Sequence, residues 1–400
     1  MNRFFATSAF IVFALPAAAQ SPAGLWDAVV TVPLDNTPTQ VPFRVEFAGA
    51  GKSLKAWFFN GDERIVSTSS ETSADKITAR FAQYNSRLEI RLAKDSFDGT
   101  YTRDGKTYPV HATRFHQRAA PAPPVPSIDG AWLVQTGNRT GEKAWRLVVH
   151  QTGAEVIGAI LRVDGDSGVL TGRFENGAFT MSHFSGARPA VYVLTPAADG
   201  SLNILQNGTL KRTAIRAAEA QVKGLPQPDD PMHHTTLRDP GTALQFSFPD
   251  LNGKIVSNTD ELFKGKVVIL SIGGSWCPNC HDEAPLLGDL YRKYRAQGLE
   301  IVELSFEEAE QLANPTRLRE FIRRYGIQYT VLLAGAPAQL AEKLPQAVNF
   351  DTFPATFFIG RDGLVLSIHS GFTGKAMGHL HDELVEEITA TVKRLLAGRP

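Results

Sequence analysis

The sequence predicts two repeated all-β modules followed by a C-terminal α/β domain, a mixed sheet covered by helices on both faces. Three observations carry this. Two Pro-rich stretches, residues 119–126 (AAPAPPVP) and 225–231 (LPQPDDP), divide the chain into three blocks. The first two blocks alternate apolar and polar residues with period two and are broken by Gly, Asn and Asp, as antiparallel strands and turns are. The third block changes period, with continuous apolar runs alternating with apolar residues at helical spacing.

The chain has 400 residues, more than one ordinary core accommodates. Lys+Arg and Asp+Glu both number 41, so the formal net charge is zero. That balance argues against bulk attraction to nucleic acid or to an anionic membrane. The N-terminus reads as an export signal over residues 1–19. Arg3 supplies the positive end, Phe4 to Leu15 the apolar stretch and Ala17-Ala18-Ala19 a small-residue cleavage site that would leave Gln20 first. The apolar run is too short to span a bilayer, no later segment reads as a transmembrane anchor, and no cysteine is placed for a lipid anchor. The expected location is periplasmic or extracellular. The expected boundaries are 20–118 for the first module, 119–127 for a linker, 128–220 for the second module, 221–239 for a second linker and 240–400 for the α/β domain.

The first module opens with Gly24-Leu25-Trp26 and the second with Gly130-Ala131-Trp132. Each continues with an alternating run, at residues 41–47 and 145–150, and nears its end with Gly-Thr-hydrophobic, at Gly99-Thr100-Tyr101 and Gly208-Thr209-Leu210. Asp104-Gly105 and Asn176-Gly177 are hairpin turns by composition. Matching strand and turn order implies a duplicated unit of about a hundred residues; it leaves open whether the copies form two barrels or one sandwich. Trp26 and Trp132 read as core anchors, because each opens a repeat at the same relative position. No residue of the modules points to chemistry.

The third block starts with a hairpin around Asn252-Gly253 and a buried-type strand at residues 267–272. Leu287, Leu290, Tyr291 and Tyr294 mark a helix stopped by Gly298, and residues 300–304 the next strand. Leu318, Phe321, Ile322 and Tyr325 mark a second helix, stopped by Gly326. Residues 355–359 and 364–368 flank a turn at Arg361-Asp362-Gly363. A final amphipathic helix runs from Leu380 to Leu395.

Between the buried strand and the first helix lies GSWCPNCHDEAP, with the only two cysteines of the chain, Cys277 and Cys280. Disulfides persist in exported proteins, but a bridge across so short a loop stabilises a fold little, so these are working parts. Cys277 falls at a helix start, with Pro278 at the first helical position, where its missing N–H costs nothing. Free amides and the positive dipole end favour a thiolate there, which makes Cys277 the attacking sulfur. Cys280 lies one turn on, on the same face and more buried, and acts second. Pro285 removes a donor inside the helix and should kink it. Glu283 sits one turn after Cys280 and reads equally as the base for that thiol or as an exposed first-turn acid.

The run W-C-x-x-C-x-x-E-x-P, after a strand and opening a helix, resembles the exported thioredoxin-fold disulfide reductases of the TlpA/ResA type, within the redoxin/AhpC-TSA-like superfamily. The lead-in FPDLNGKIVSNTDELFKGKVVILSI and the segment DTFPATFFIGRDGLVL continue the likeness, which covers about residues 240–397. It implies a thioredoxin-like domain with Cys277 as nucleophile, Cys280 as resolving thiol, Glu283 as acidic helper and Pro354 as a cis-proline opposite the cysteines. A cis Phe353–Pro354 bond would free backbone groups of Phe353 for a substrate strand, so Trp276, Phe353 and Pro354 form the expected docking edge. The implied partners are a disulfide-containing client protein and an external thiol electron donor, with no cofactor and no metal. Two features depart from the pattern. Proline follows the first cysteine instead of preceding the second, and Ser271 stands where thioredoxin has a buried aspartate, which shifts the burden to Glu283.

Cys277-x-x-Cys280-His281 is also a literal haem-attachment match, with Met377 or a histidine as distal ligand, but Glu283 and Pro285 follow at redoxin spacing. Zinc would need ligands beyond the pair, from His233-His234 or from His379 and His381, which do not share a helix face. The alternatives retained are a copper or other metal chaperone using His369, and a partner-binding protein with a vestigial redoxin domain.

Overall fold

The computed structural model describes residues 21–73, 75–118, 124–137 and 141–398. The expected signal at 1–19 and the start of the first linker, 119–123, lie outside the described residues.

Residues 24–114 form a nine-stranded antiparallel sheet in which the first strand, Gly24–Leu34, pairs with both the second, Thr37–Ala48, and the last, Lys106–Arg114. Its edge strands, Glu63–Val66 and Ser69–Ser73, are consecutive in the chain. The residues joining them bond to both neighbours, Ser67 N to Ala56 O and Thr68 N to Arg80 O, so the sheet curls around one core. In the second module Ala144–Thr152 pairs with Gly130–Gln135 on one side and with Glu155–Arg162 on the other, which closes the sheet into a barrel. The expected hairpin turns are present. Asp104 and Gly105 have φ of 48° and 75°, and Asn176 and Gly177 have 53° and 85°, the left-handed pair that a two-residue hairpin requires.

The two modules share one anchoring device. Trp26 Nε1 donates to Pro22 O and Trp132 Nε1 to Ile128 O, both at 2.8 Å. The cross-strand partners Arg114 and Arg216 lie 4.1 and 3.8 Å from the respective ring centres. Each such cation–π contact is worth about 0.5–2 kcal/mol. The modules also pack on one another: Phe184 and Ala187 of the second belong to the core of the first, and Tyr101 Oη donates to Gly186 O at 2.6 Å.

The C-terminal domain is a five-stranded mixed sheet. Its elements are β1 (Val267–Gly273), α1 (Pro278–Tyr294), β2 (Leu299–Phe306), α2 (Thr316–Tyr325), β3 (Thr330–Gly335), β4 (Ala355–Ile359), β5 (Val365–Ser370) and α3 (His379–Leu396). The order is β3-β2-β1-β4-β5, with β1, β2 and β3 parallel and β4 and β5 antiparallel. Strand β3 was not anticipated. Side chains of β1 alternate between two cores: Val267 and Ile269 face α1, α2 and α3, while Val268, Leu270 and Ile272 face the other side. The helices are divided unequally between the two faces. All three long helices cover one face. The other is covered by Phe246, Phe248 and Phe263 around the hairpin Ser247–Pro249/Ile255–Ser257 and by the short helix Leu340–Lys343. Those aromatics supply the apolar area that a helix would otherwise bring. Within residues 221–239, Thr236–Leu237 pairs with Ala347–Val348, tying that connection to the domain.

Candidate active site

Strand β1 delivers the chain through Gly273-Gly274 to the start of α1, and Cys277 is the N-cap of that helix. Its sulfur accepts the Cys280 N–H at 3.3 Å and donates to Phe353 O at 3.4 Å. Pro278 occupies the first helical position, and Pro285 lies inside the helix with no N–H for the carbonyl four residues back. The Phe353–Pro354 bond is cis. Trp276 Nε1 donates to Phe306 O at 2.8 Å, and its ring meets Phe353 edge-on at 5.2 Å. Cys277, Phe353 and Trp276 therefore form one edge.

The two sulfurs differ in surroundings but not in exposure. Cys277 is 3% and Cys280 4% exposed, which corrects the expectation that the second is the more buried. Burial first, then the hydrogen bond to Cys277, then the negative charges of Cys277 and Glu283, push the Cys280 thiol well above its ordinary range.

Glu283 is not the exposed acid that sequence allowed. It is 2% exposed and bonded by Thr356 Oγ1 at 2.5 Å and Ser271 Oγ at 3.1 Å. Burial pushes its carboxyl up to about 7, against the pull of those two hydroxyls. Ser271, at the position where thioredoxin has its aspartate, thus donates a hydrogen bond to Glu283.

Sequence reasoning missed three charged groups. Glu303 on β2, cross-strand from Ser271, is buried and raised to about 8 by burial and then by the charge of Glu283 and Glu307. Tyr329 Oη reaches it at 3.4 Å. Glu307 is fully buried and accepts from Ser275 N, Ser275 Oγ and Ser305 Oγ at 2.7–2.9 Å, which fixes the turn before the cysteines. Arg317 of α2, also fully buried, pairs with Glu307 at 3.3 Å, Glu308 at 2.8 Å and Asp104 of the first module at 3.0 Å. Glutamates in an alternating strand pattern look solvated; only a central strand buried on both faces makes them interior.

The modules, expected to carry no chemistry, touch the cysteine motif directly. Arg103 Nη2 donates to Trp276 O at 3.3 Å, Asn279 Nδ2 donates to Asp164 O at 2.6 Å, and Arg188 donates to Asn279 and, at 2.8 Å, to Asp282.

Most of the residues considered for other chemistries make contacts of their own. His281 bonds Ser275 O through Nε2 at 2.9 Å and Tyr325 Oη through Nδ1 at 3.0 Å, and burial lowers it to about 3. Neither nitrogen is left for a haem iron. His233 bonds Asp230 and His234 bonds Asp351. His381 Nδ1 is bonded to Thr373 O, His369 Nδ1 to Gly371 O, and Met377 is buried. Among the described residues, the one convergence of three ligand-type side chains is Asp104, Glu308 and Glu310, where Arg317 already neutralises two of them. The cysteines are not part of it.

Residues 241–368 match the model of the AhpC/TSA family. The thiol-disulfide oxidoreductase ResA of Bacillus subtilis (strain 168) is 27% identical over 151 residues, 38% of this chain and 78% of that protein. ResA of Bacillus anthracis is 31% identical over 124 residues, 31% of this chain and 65% of the relative. A crystal structure of a putative thiol:disulfide interchange protein DsbE from Chlorobium tepidum aligns with TM-score 0.31 and 25% identity, over 39% of this chain and 99% of that one.

Proposed function

We propose that this chain, whose C-terminal domain is a TlpA/ResA-like thioredoxin-fold domain, is an exported thiol–disulfide oxidoreductase that works through Cys277 and Cys280. The observation that carries the reading is the Cys277 sulfur held by the Cys280 amide at a helix N-terminus, beside the Phe353 carbonyl, with a buried carboxyl behind the second cysteine. The family likeness favours reduction of protein disulfides.

In the reducing direction the Cys277 thiolate attacks one sulfur of a client disulfide. A Cys277–client disulfide forms, and the client's other sulfur leaves as a thiolate and takes a proton from solvent. Cys280 then gives its proton to the Glu283 carboxylate and attacks Cys277 Sγ, releasing the second client thiolate. The client gains two electrons, and the enzyme is left with the Cys277–Cys280 disulfide. An external thiol donor returns two electrons, and Glu283 gives its proton back to Cys280, which restores the Cys277 thiolate and the Cys280 thiol. Glu283 suits the step because a carboxyl raised to about 7 is partly ionised at neutral pH and releases its proton as readily as it takes one. Trp276, Phe353 and Pro354 form the docking edge for the client backbone.

The two β modules are read as copies of one unit, supported by the matching Trp26/Arg114 and Trp132/Arg216 anchors. Export rests on the signal-like residues 1–19; among the described residues no helix is long and apolar enough to cross a membrane. The test is a redox titration of the Cys277–Cys280 pair together with an insulin-reduction assay. A potential well below that of an oxidising compartment, with insulin reduction, supports a reductase. A high potential with dithiol oxidation would reverse the direction, and failure to cycle would remove the activity.

A further inference from the structure

The second β module lies against the mouth of the redox site, and the contact is close. A Cβ on Gly165 would sit 2.3 Å from Asn279 Nδ2 and 2.4 Å from Phe372 O, and one on Gly371 would sit 2.3 Å from Val163 O. Gly371 N in turn bonds Pro354 O at 2.7 Å. The segment 163–165 therefore runs between the start of α1 and the loop beside the cis-proline. There Asp164 O accepts from Asn279 Nδ2 at 2.6 Å. Asp166, fully buried, accepts Gly374 N at 2.5 Å and lies 3.5 Å from Arg188. Arg188 spans the junction, reaching Asp166 on its own module and Asn279 and Asp282 on α1. Its backbone sits at φ 51°, a region that non-glycine residues hold only where the surroundings fix them. From the first module Arg103 binds Trp276 O, and the Tyr84 ring packs 5.1 Å from His281. Both flanks of Cys277 are thus contacted by the modules, and Cys277 is 3% exposed.

We propose that the segment 163–166, locked by Arg188, is the specificity-determining edge of the thiol–disulfide site. It occupies the groove that a client must enter to reach Cys277, so only a client that displaces it is attacked. This rests on the reading of Cys277 as the attacking sulfur. Residues 163–166 act as an internal stand-in for a client strand, and the selected client is an extended protein segment able to replace the Asn279 and Gly374 contacts.

The test is the alkylation rate of Cys277 in the reduced full chain, followed by mass spectrometry, with iodoacetamide and with a bulky maleimide-coupled polymer as probes. In the parent, the rate should level off with rising reagent at a ceiling common to both probes, because displacement of the segment, not chemistry, becomes limiting. Arg188→Ala, Asp166→Asn and the wedge Gly165→Ala should each raise that ceiling about tenfold or more, the effect of a coupling in the usual range between sites. A parent rate that grows in proportion to reagent without a ceiling would overturn the proposal. So would variants that keep the parent's circular dichroism yet alkylate at its rate. The parent's concentration dependence decides even where a variant fails to fold. Alkylation needs only a thiol, so a negative result here leaves the redox reading to its own titration.

Discussion

Glu303 and Cys280 both approach Gly273: a Cβ there would lie 3.4 Å from Glu303 Oε1 and 3.5 Å from Cys280 Sγ. A second buried acid thus stands near Cys280, on β2, the strand paired with β1. Its carboxyl is raised to about 8 from 4.5, so the folded state holds a proton that the unfolded chain releases. Stability from this group is therefore full below about pH 4.5 and declines as pH rises to about 8. Glu303→Gln should flatten that decline in denaturant midpoints measured across the window. An unchanged slope would mean that Glu303 is ionised in the fold.

Glu283 has the same sign and a narrower window, from 4.5 to about 7. Its kinetic consequence differs. The resolving step should accelerate as pH rises through about 7, because only the carboxylate accepts the Cys280 proton. Glu283→Gln should slow resolution by about a hundredfold or more and abolish that limb, while leaving the first attack of Cys277 unchanged. Stopped-flow separation of the two phases checks this; equal resolution rates would remove Glu283 from the step.

Thr356 donates to Glu283 and opposes the effect of burial on it. Thr356→Val should move the resolution profile to higher pH and cost about 1 kcal/mol of stability. A profile that stays in place would show that the hydroxyl does not set the ionisation of the carboxyl.

Arg317 neutralises Glu307 in the interior and reaches Asp104 across the domain junction. Arg317→Met should destabilise the protein by about 3–5 kcal/mol, since it leaves a buried carboxylate without its partner. Adding Glu307→Gln should recover much of that loss, because the stranded charge is then gone. Thermal melts of both variants decide it, and two additive losses would contradict the pairing.

What the sequence disclosed was local. Cys277 at a helix start, Pro278 one residue inside it, Gly298 and Gly326 at helix ends and the Asn176-Gly177 turn are set by the few residues around them, and each is where spacing placed it. What it hid was tertiary. Glu283 is buried because β1 and β4 bring Ser271 and Thr356 to it from positions 12 and 73 residues away. Nothing in the stretch around Arg188 shows that its guanidinium reaches Asn279 and Asp282 on α1. The aromatic cover on the second face of the C-terminal sheet was hidden for the same reason, since Phe246 and Phe263 form it only after the hairpin folds back.

The central claim, that Cys277 attacks and Cys280 resolves, is tested most directly by trapping the mixed disulfide. The Cys280→Ser variant of the full chain, incubated with a disulfide-bonded peptide, should accumulate a covalent adduct that mass spectrometry assigns to Cys277, while Cys277→Ser should form none. Adduct formation on Cys280 in the Cys277→Ser variant at a comparable rate, or no adduct in either, would contradict the account.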